Sequence, residues 1–190
     1  MHSDVELILN ELDTHRVRFA VFCRSLSPEE LARDVPNSTW MVRDFIAHLA
    51  TIDAPIGDMF QTVLAGRDPG IRTGDGERFD VDRWNEARIQ ERRGRSVDDL
   101  LAEAVTARAA LRSQLAQLQE EHLATTIKFQ GDARRPPAEV ELRRYLRGWC
   151  KHDPMHVVDM VRALPEKRTP AIEQWLDDPV VAGYQAAMNR

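Results

Sequence analysis

Two histidines four residues apart, His152 and His156, give the chain its most specific chemical spacing. On a helix, residues i and i+4 lie one turn apart on one face, so two such imidazoles can grip one metal ion. A third histidine, His48, sits in a second helix-like stretch, Trp40-Met-Val-Arg-Asp-Phe-Ile-Ala-His48-Leu. We read the three as meeting in the fold. Three neutral imidazoles leave at least one coordination position open, the pattern of a catalytic rather than a structural metal centre. Asp44 lies four residues before His48 on the same flank. It either holds the imidazole from outside or supplies negative charge to the first turn of its helix.

The other reactive side chains read more plainly. His15 interrupts an apolar stripe and suits a partly buried histidine bonded to a neighbour, with the wall of a site as the alternative. His122 reads as exposed. Cys150 precedes the histidine pair but faces elsewhere, as a buried thiol would. The turn signals Asp68-Pro69-Gly70 and Gly74-Asp75-Gly76 lack the order of a phosphate-binding loop.

Four amphipathic stretches must position these groups. From about Ser3 to Ser25, Val5, Ile8, Leu12, His15, Phe19 and Phe22 repeat at helical spacing, with Ser3 placed as the cap and Glu6 completing its box. From Trp40 to Ala65 the stripe is Val42, Phe45, Leu49, Ile52, Ile56, Met59 and Val63, with a kink expected at Pro55. A third stretch, Phe79 to Gln119, is interrupted at Gly94-Arg95 and restarted by a Ser96…Asp99 capping box. The fourth, about Glu139 to Leu164, carries Leu142, Tyr145, Trp149, His152, His156 and Met160 on one face. Pro154 either kinks this helix or marks where one helix ends and another begins. Thr125 to Phe129 reads as a short extended piece. The fold class is therefore all-α, an antiparallel four-helix bundle over residues 1–164. A short helical tail, 165–190, carries Trp175 and Tyr184 to dock on the bundle or on another subunit.

Whole-chain properties narrow the function. At 190 residues, 43% hydrophobic and 30% charged, the chain suits one soluble domain with a sizeable core. A net charge of −5 without a basic block argues against nucleic acid and anionic membrane as partners. No apolar run is long enough to span a bilayer. Two cysteines are too few for a disulfide framework, and with acids in the first residues the expected location is the cytoplasm.

The stretch Trp40-Met-Val-Arg-Asp44-Phe-Ile-Ala-His48-Leu resembles the W-x-V-x-D-x-x-x-H-L motif of the DinB/YfiT-like bundle metalloproteins. Trp84-Asn85-Glu86, followed by Glu91-Arg-Arg-Gly-Arg-Ser, resembles the start of the third helix in the branch containing mycothiol-dependent maleylpyruvate isomerase. His152-x-x-x-His156 matches the paired histidines of the last bundle helix. The resemblance spans roughly residues 5 to 164. It implies a DinB-like four-helix bundle with His48, His152 and His156 binding a divalent metal, zinc or nickel. It also implies a small-molecule substrate, a low-molecular-weight thiol such as mycothiol, and a homodimer. Met41 stands where the family usually has Ser or Thr, so Ser38 or Thr39 is expected to cap the helix. Around the triad, spacing nominates Asp44 and Asp159 as outer partners of the histidines, and Trp84, Asn85 and Arg88 for the pocket rim. The activity expected is a metal-dependent thiol S-transferase or isomerase. The alternatives are a metal-dependent hydrolase of a small electrophile or toxin, and a non-catalytic metal-binding stress protein.

Overall fold

The computed structural model describes residues 1–67, 80–129 and 136–188. The turn signals at Asp68-Pro69-Gly70 and Gly74-Asp75-Gly76 lie outside the described residues. The architecture is the expected helical bundle, built on four positions. Helix α1 (Ser3–Arg24) fills the first. The second is shared by α3 (Val42–Thr51) and α4 (Asp53–Leu64), after a short α2 (Pro28–Leu31) begun by a Ser27–Glu30 capping box. Helix α5 (Val81–Gln90) packs on α3, and α6 (Val97–Leu115), begun by the Ser96–Asp99 box, is the third position. The fourth is shared by α8 (Leu142–Trp149) and α9 (His152–Ala163). A four-residue α7 (Glu120–Leu123) precedes α8.

The two broken positions share one cause. Pro55 is the third residue of α4 and Pro154 the third of α9. In a first turn the backbone N–H has no intrahelical acceptor, so proline there removes no hydrogen bond. Each helix ends and restarts ahead of its proline. His152 and His156 therefore lie within one unbroken helix, α9, and keep the i,i+4 alignment.

Several local expectations are corrected. The cap of α1 is His2, whose Nδ1 accepts from the Asp4 N–H at 3.2 Å; Ser3 is already helical. Met41 itself occupies the cap position of α3, in place of Ser38 or Thr39. The fourth stretch does not begin as helix at Glu139. Ala138–Glu141 form strand β2, antiparallel to β1 (Thr126–Phe129), with Ile127 opposite Val140. Branched and aromatic residues favour this pairing, and Ile127 is fully buried. His122 is half-buried and accepts from the Gln119 N–H at 3.0 Å, ordering α7.

The bundle core is divided by a layer of buried charge that the apolar stripes do not announce. Each bundle position contributes one residue: Arg16 from α1, Asp53 from α4, Arg108 from α6 and Asp153 from α9. Their exposures are 6, 1, 4 and 2%. Arg16 donates to both oxygens of Asp153, at 2.9 and 3.0 Å, and to the Leu49 carbonyl at 3.0 Å. Arg108 donates to Asp53 at 2.6 and 3.4 Å and to the Leu12 carbonyl at 3.0 Å. Cross-contacts of 3.7 Å (Arg16–Asp53) and 3.6 Å (Arg108–Asp153) close the ring. Two cations face two anions, so the layer is neutral and its polar groups are met, the condition under which buried ions are tolerated. One apolar cluster, with Leu12, Ile56, Leu111 and Leu146, lies on one side. The other, with Phe19, Phe45, Leu100 and Val157, lies on the side of the three histidines.

The tail helices α10 (Pro170–Leu176) and α11 (Pro179–Met188) both pack on α9. Trp175 is buried, and its indole N–H donates to His15 Nδ1 at 2.8 Å. His15 is thus a bonded, half-buried histidine.

Candidate metal centre

Helix α3 carries His48 among its buried residues, and α9 carries His152 and His156 one turn apart. The three rings form a tight cluster, with centroids 4.9 Å (His48–His156), 5.3 Å (His48–His152) and 4.6 Å (His152–His156) apart. One potential ligand nitrogen from each lies within 4.8 Å of the others.

Hydrogen bonds behind the rings fix which nitrogens face inward. His48 Nδ1 is 3.1 Å from Asn85 Oδ1, an acceptor, so the proton sits on Nδ1 and the lone pair on Nε2. His156 Nδ1 likewise donates to Asp159 Oδ2 at 3.0 Å. His156 Nε2 then lies 3.1 Å from His152 Nε2. Two nitrogens on a tetrahedral zinc, each ~2.0–2.1 Å from it, stand about 3.3 Å apart. The α9 pair already has that bite.

Burial, then the neighbouring His156, holds His48 well below the ordinary imidazole pKa, against the opposing bond from Asn85. Burial, then His156 and His48, does the same to His152. Both are therefore neutral near pH 7, the form that binds a metal. Aromatic side chains wall the cluster. Trp149 stacks on His152 with centroids 4.3 Å apart, Trp40 lies 5.2 Å from His48, and Phe45 lies 5.4 Å from His156.

The nominated outer residues divide. Asp159 and Asn85 reach the histidines. Asn85 is buried by the packing of α5 on α3, so it is an outer partner of His48 rather than a rim residue. Asp44 does not play that part: its Oδ2 accepts from the Met41 N–H at 3.0 Å, capping α3. Trp84 packs on the apolar cluster, and Arg88 lies over its ring at 6.0 Å while pairing with Glu91 at 2.6 Å. Trp149 joins these outer residues; its place at i−3 from His152, on the histidine face, is the sequence signal for it. Tyr184, whose ring lies 6.0 Å from His156, had no signal of this kind, because it reaches the site from the tail. Cys150 is buried and donates to the Leu146 carbonyl at 3.1 Å. Burial, chiefly, pushes its thiol up to about 12, so it is an inert structural thiol.

Comparison with known proteins places this arrangement. Residues 12–160 match the family described as the mycothiol maleylpyruvate isomerase N-terminal domain. The fold is similar to the crystal structure of the mycothiol-dependent maleylpyruvate isomerase, with a TM-score of 0.61 and 14% identity, over 93% of this chain and 70% of that one. It is also similar to that of a histidine-to-alanine mutant of the mycothiol-dependent maleylpyruvate isomerase, with a TM-score of 0.58 and 13% identity. There the match covers 84% of this chain and 63% of that one, less than two thirds of its length. No curated protein sequence matches. With most of its length matched, from α1 through α9, the chain belongs to the mycothiol maleylpyruvate isomerase N-terminal domain family.

Proposed function

We propose that the chain is a metal-dependent, thiol-using isomerase or S-transferase acting on a small molecule. His48, His152 and His156 hold a divalent cation, zinc or nickel, and a low-molecular-weight thiol of the mycothiol type is the cosubstrate. The observation that supports this is the convergence of three imidazoles which, among the described residues, no carboxylate or thiol joins. A three-nitrogen set with no fourth protein ligand is that of a centre with room for an exogenous ligand. A cation bound there would supply Lewis acidity, favouring thiolate over thiol and polarising a carbonyl oxygen.

The chain's own groups do the rest. Asn85 and Asp159 keep the protons of His48 and His156 on Nδ1, which leaves each Nε2 lone pair inward. Trp149 fixes the plane of His152 by stacking. With Trp40 and Phe45 it also limits water around the rings. Trp149 Nε1 and Arg162 Nε and Nη1 are buried donors with no partner among the described residues. Donors in want of acceptors suit an oxygen-rich substrate.

The test is turnover of maleylpyruvate by zinc- and nickel-loaded protein, with and without mycothiol, followed by NMR. Conversion requiring both metal and thiol, and absent from the H48A/H152A/H156A variant, is expected. Conversion by that variant would overturn the assignment. Hydrolysis of electrophiles without thiol would favour a metal-dependent hydrolase instead.

A further inference from the structure

The tail helix α11 carries a contact that the family match, ending at residue 160, does not include. The Tyr184 hydroxyl donates to Asp159 Oδ2 at 2.7 Å, the same oxygen that accepts from His156 Nδ1 at 3.0 Å. The other oxygen, Oδ1, accepts from Arg162 Nη2. Asp159 is 3% exposed, so these protein donors, rather than bulk water, set the orientation of its carboxylate.

Helix α11 is held against α9 at a second point near the histidines. Its first turn is capped by Asp178, which accepts from the Val180 N–H at 2.8 Å. Asp178 also pairs with Lys151 at 3.0 Å, and Lys151 precedes His152. Between these anchors Val181 is fully buried. The helix is thus tied to α9 beside His152 and again behind His156.

We propose that Tyr184 is a positioning residue of the metal centre, and that the docking of α11 is coupled to metal binding through Tyr184, Asp159 and His156. This rests on the metal-site reading above. One carboxylate oxygen serves both the phenol and the imidazole, so the phenol fixes the rotamer of Asp159 and with it the plane of the His156 ring. An outer carboxylate left free to turn would orient its ligand less well. Losing such a partner costs about 10- to 100-fold in metal affinity, and Tyr184, one step further out, should cost less. Linkage then requires that metal binding stabilise α11 by the factor with which docked α11 tightens metal binding.

The experiment uses the full chain and Y184F, which removes only the hydroxyl. Zinc affinity is measured by competition with a chelator, cobalt(II) absorption reports the ligand field, and hydrogen exchange of α11 amides is followed with and without zinc. Y184F should bind zinc roughly five- to tenfold more weakly, with a shifted cobalt spectrum. Zinc should slow exchange in α11 of the parent protein and not of Y184F. A merely structural loss would leave the cobalt spectrum unmoved. Equal zinc affinity, with α11 exchange indifferent to zinc, would overturn the inference and leave the metal site standing. No zinc on the parent protein would overturn the metal-site reading and the inference with it.

Discussion

Replacing Arg108 with methionine tests the charged layer. The guanidinium makes two bonds to Asp53, one to the Leu12 carbonyl and a 3.6 Å contact with Asp153. Methionine keeps much of the stem volume, so little of the loss is cavity. What remains is Arg16 facing two carboxylates, a buried net charge of −1. Breaking a buried ion pair from one side costs about 3–5 kcal/mol, because the partner charge stays desolvated. For a chain of this size, ~2–4 °C per kcal/mol makes that a fall in Tm of about 6–20 °C. The double variant R108M/D53L restores neutrality and leaves the bidentate Arg16–Asp153 pair intact. It should recover at least ~2 kcal/mol relative to R108M, since apolar replacement of a whole buried pair is often near neutral. Urea unfolding of chelator-treated protein supplies the cycle without interference from metal. An R108M loss below ~1 kcal/mol, or a double variant no more stable than R108M, would refute the reasoning.

Three further outcomes follow from the site. His48 and His152 are held below the ordinary imidazole value, so unfolding raises their proton affinity. Their contribution to stability is complete above pH ~6.5 and is lost as pH falls from there through their folded values. Melting of metal-free protein should therefore show a steeper acid loss over this window than an H48Q/H152Q variant, and equal slopes would contradict it. Asn85→Leu should weaken zinc binding about 10- to 100-fold by releasing the His48 ring, as read by chelator competition; unchanged affinity would remove Asn85 from its role. Pro154→Ala should cost no more than ~1 kcal/mol, through the unfolded chain, and leave zinc affinity as it was. Loss of the metal in that variant would mean that the proline shapes the first turn of α9 after all.

The bundle and the meeting of the three histidines were legible because 3.6-residue periodicity and i,i+4 spacing are local signals. The charged layer was legible only as gaps. Between Leu12 and Phe19 the α1 stripe offers only His15, and between Ala104 and Leu111 the α6 stripe offers nothing; the buried steps there are Arg16 and Arg108. A single charged residue at a helical step reads as a surface position until its partner, 137 or 55 residues away in sequence, is known. The fourth helix shows a related offset. Its fully buried line runs Leu142, Leu146, Cys150, Asp153, Val157, while Tyr145, Trp149, His152 and His156 occupy the half-buried flank beside it. Asp44 and Asn85 were separable only by structure. Asp44 has the better sequence spacing to His48, but its carboxylate is used by the cap. Asn85 arrives from α5, whose packing on α3 no periodicity specifies. Tyr184 was beyond reach for the same reason.

The central claim is that His48, His152 and His156 form one metal site. Elemental analysis of protein purified without tag or chelator, beside the H48A/H152A/H156A variant, tests it most directly. We predict about one equivalent of zinc or nickel per chain, absent from the variant although the variant remains helical. Protein that holds no metal even after zinc or nickel is supplied, or a variant that holds as much as the parent, would contradict the account.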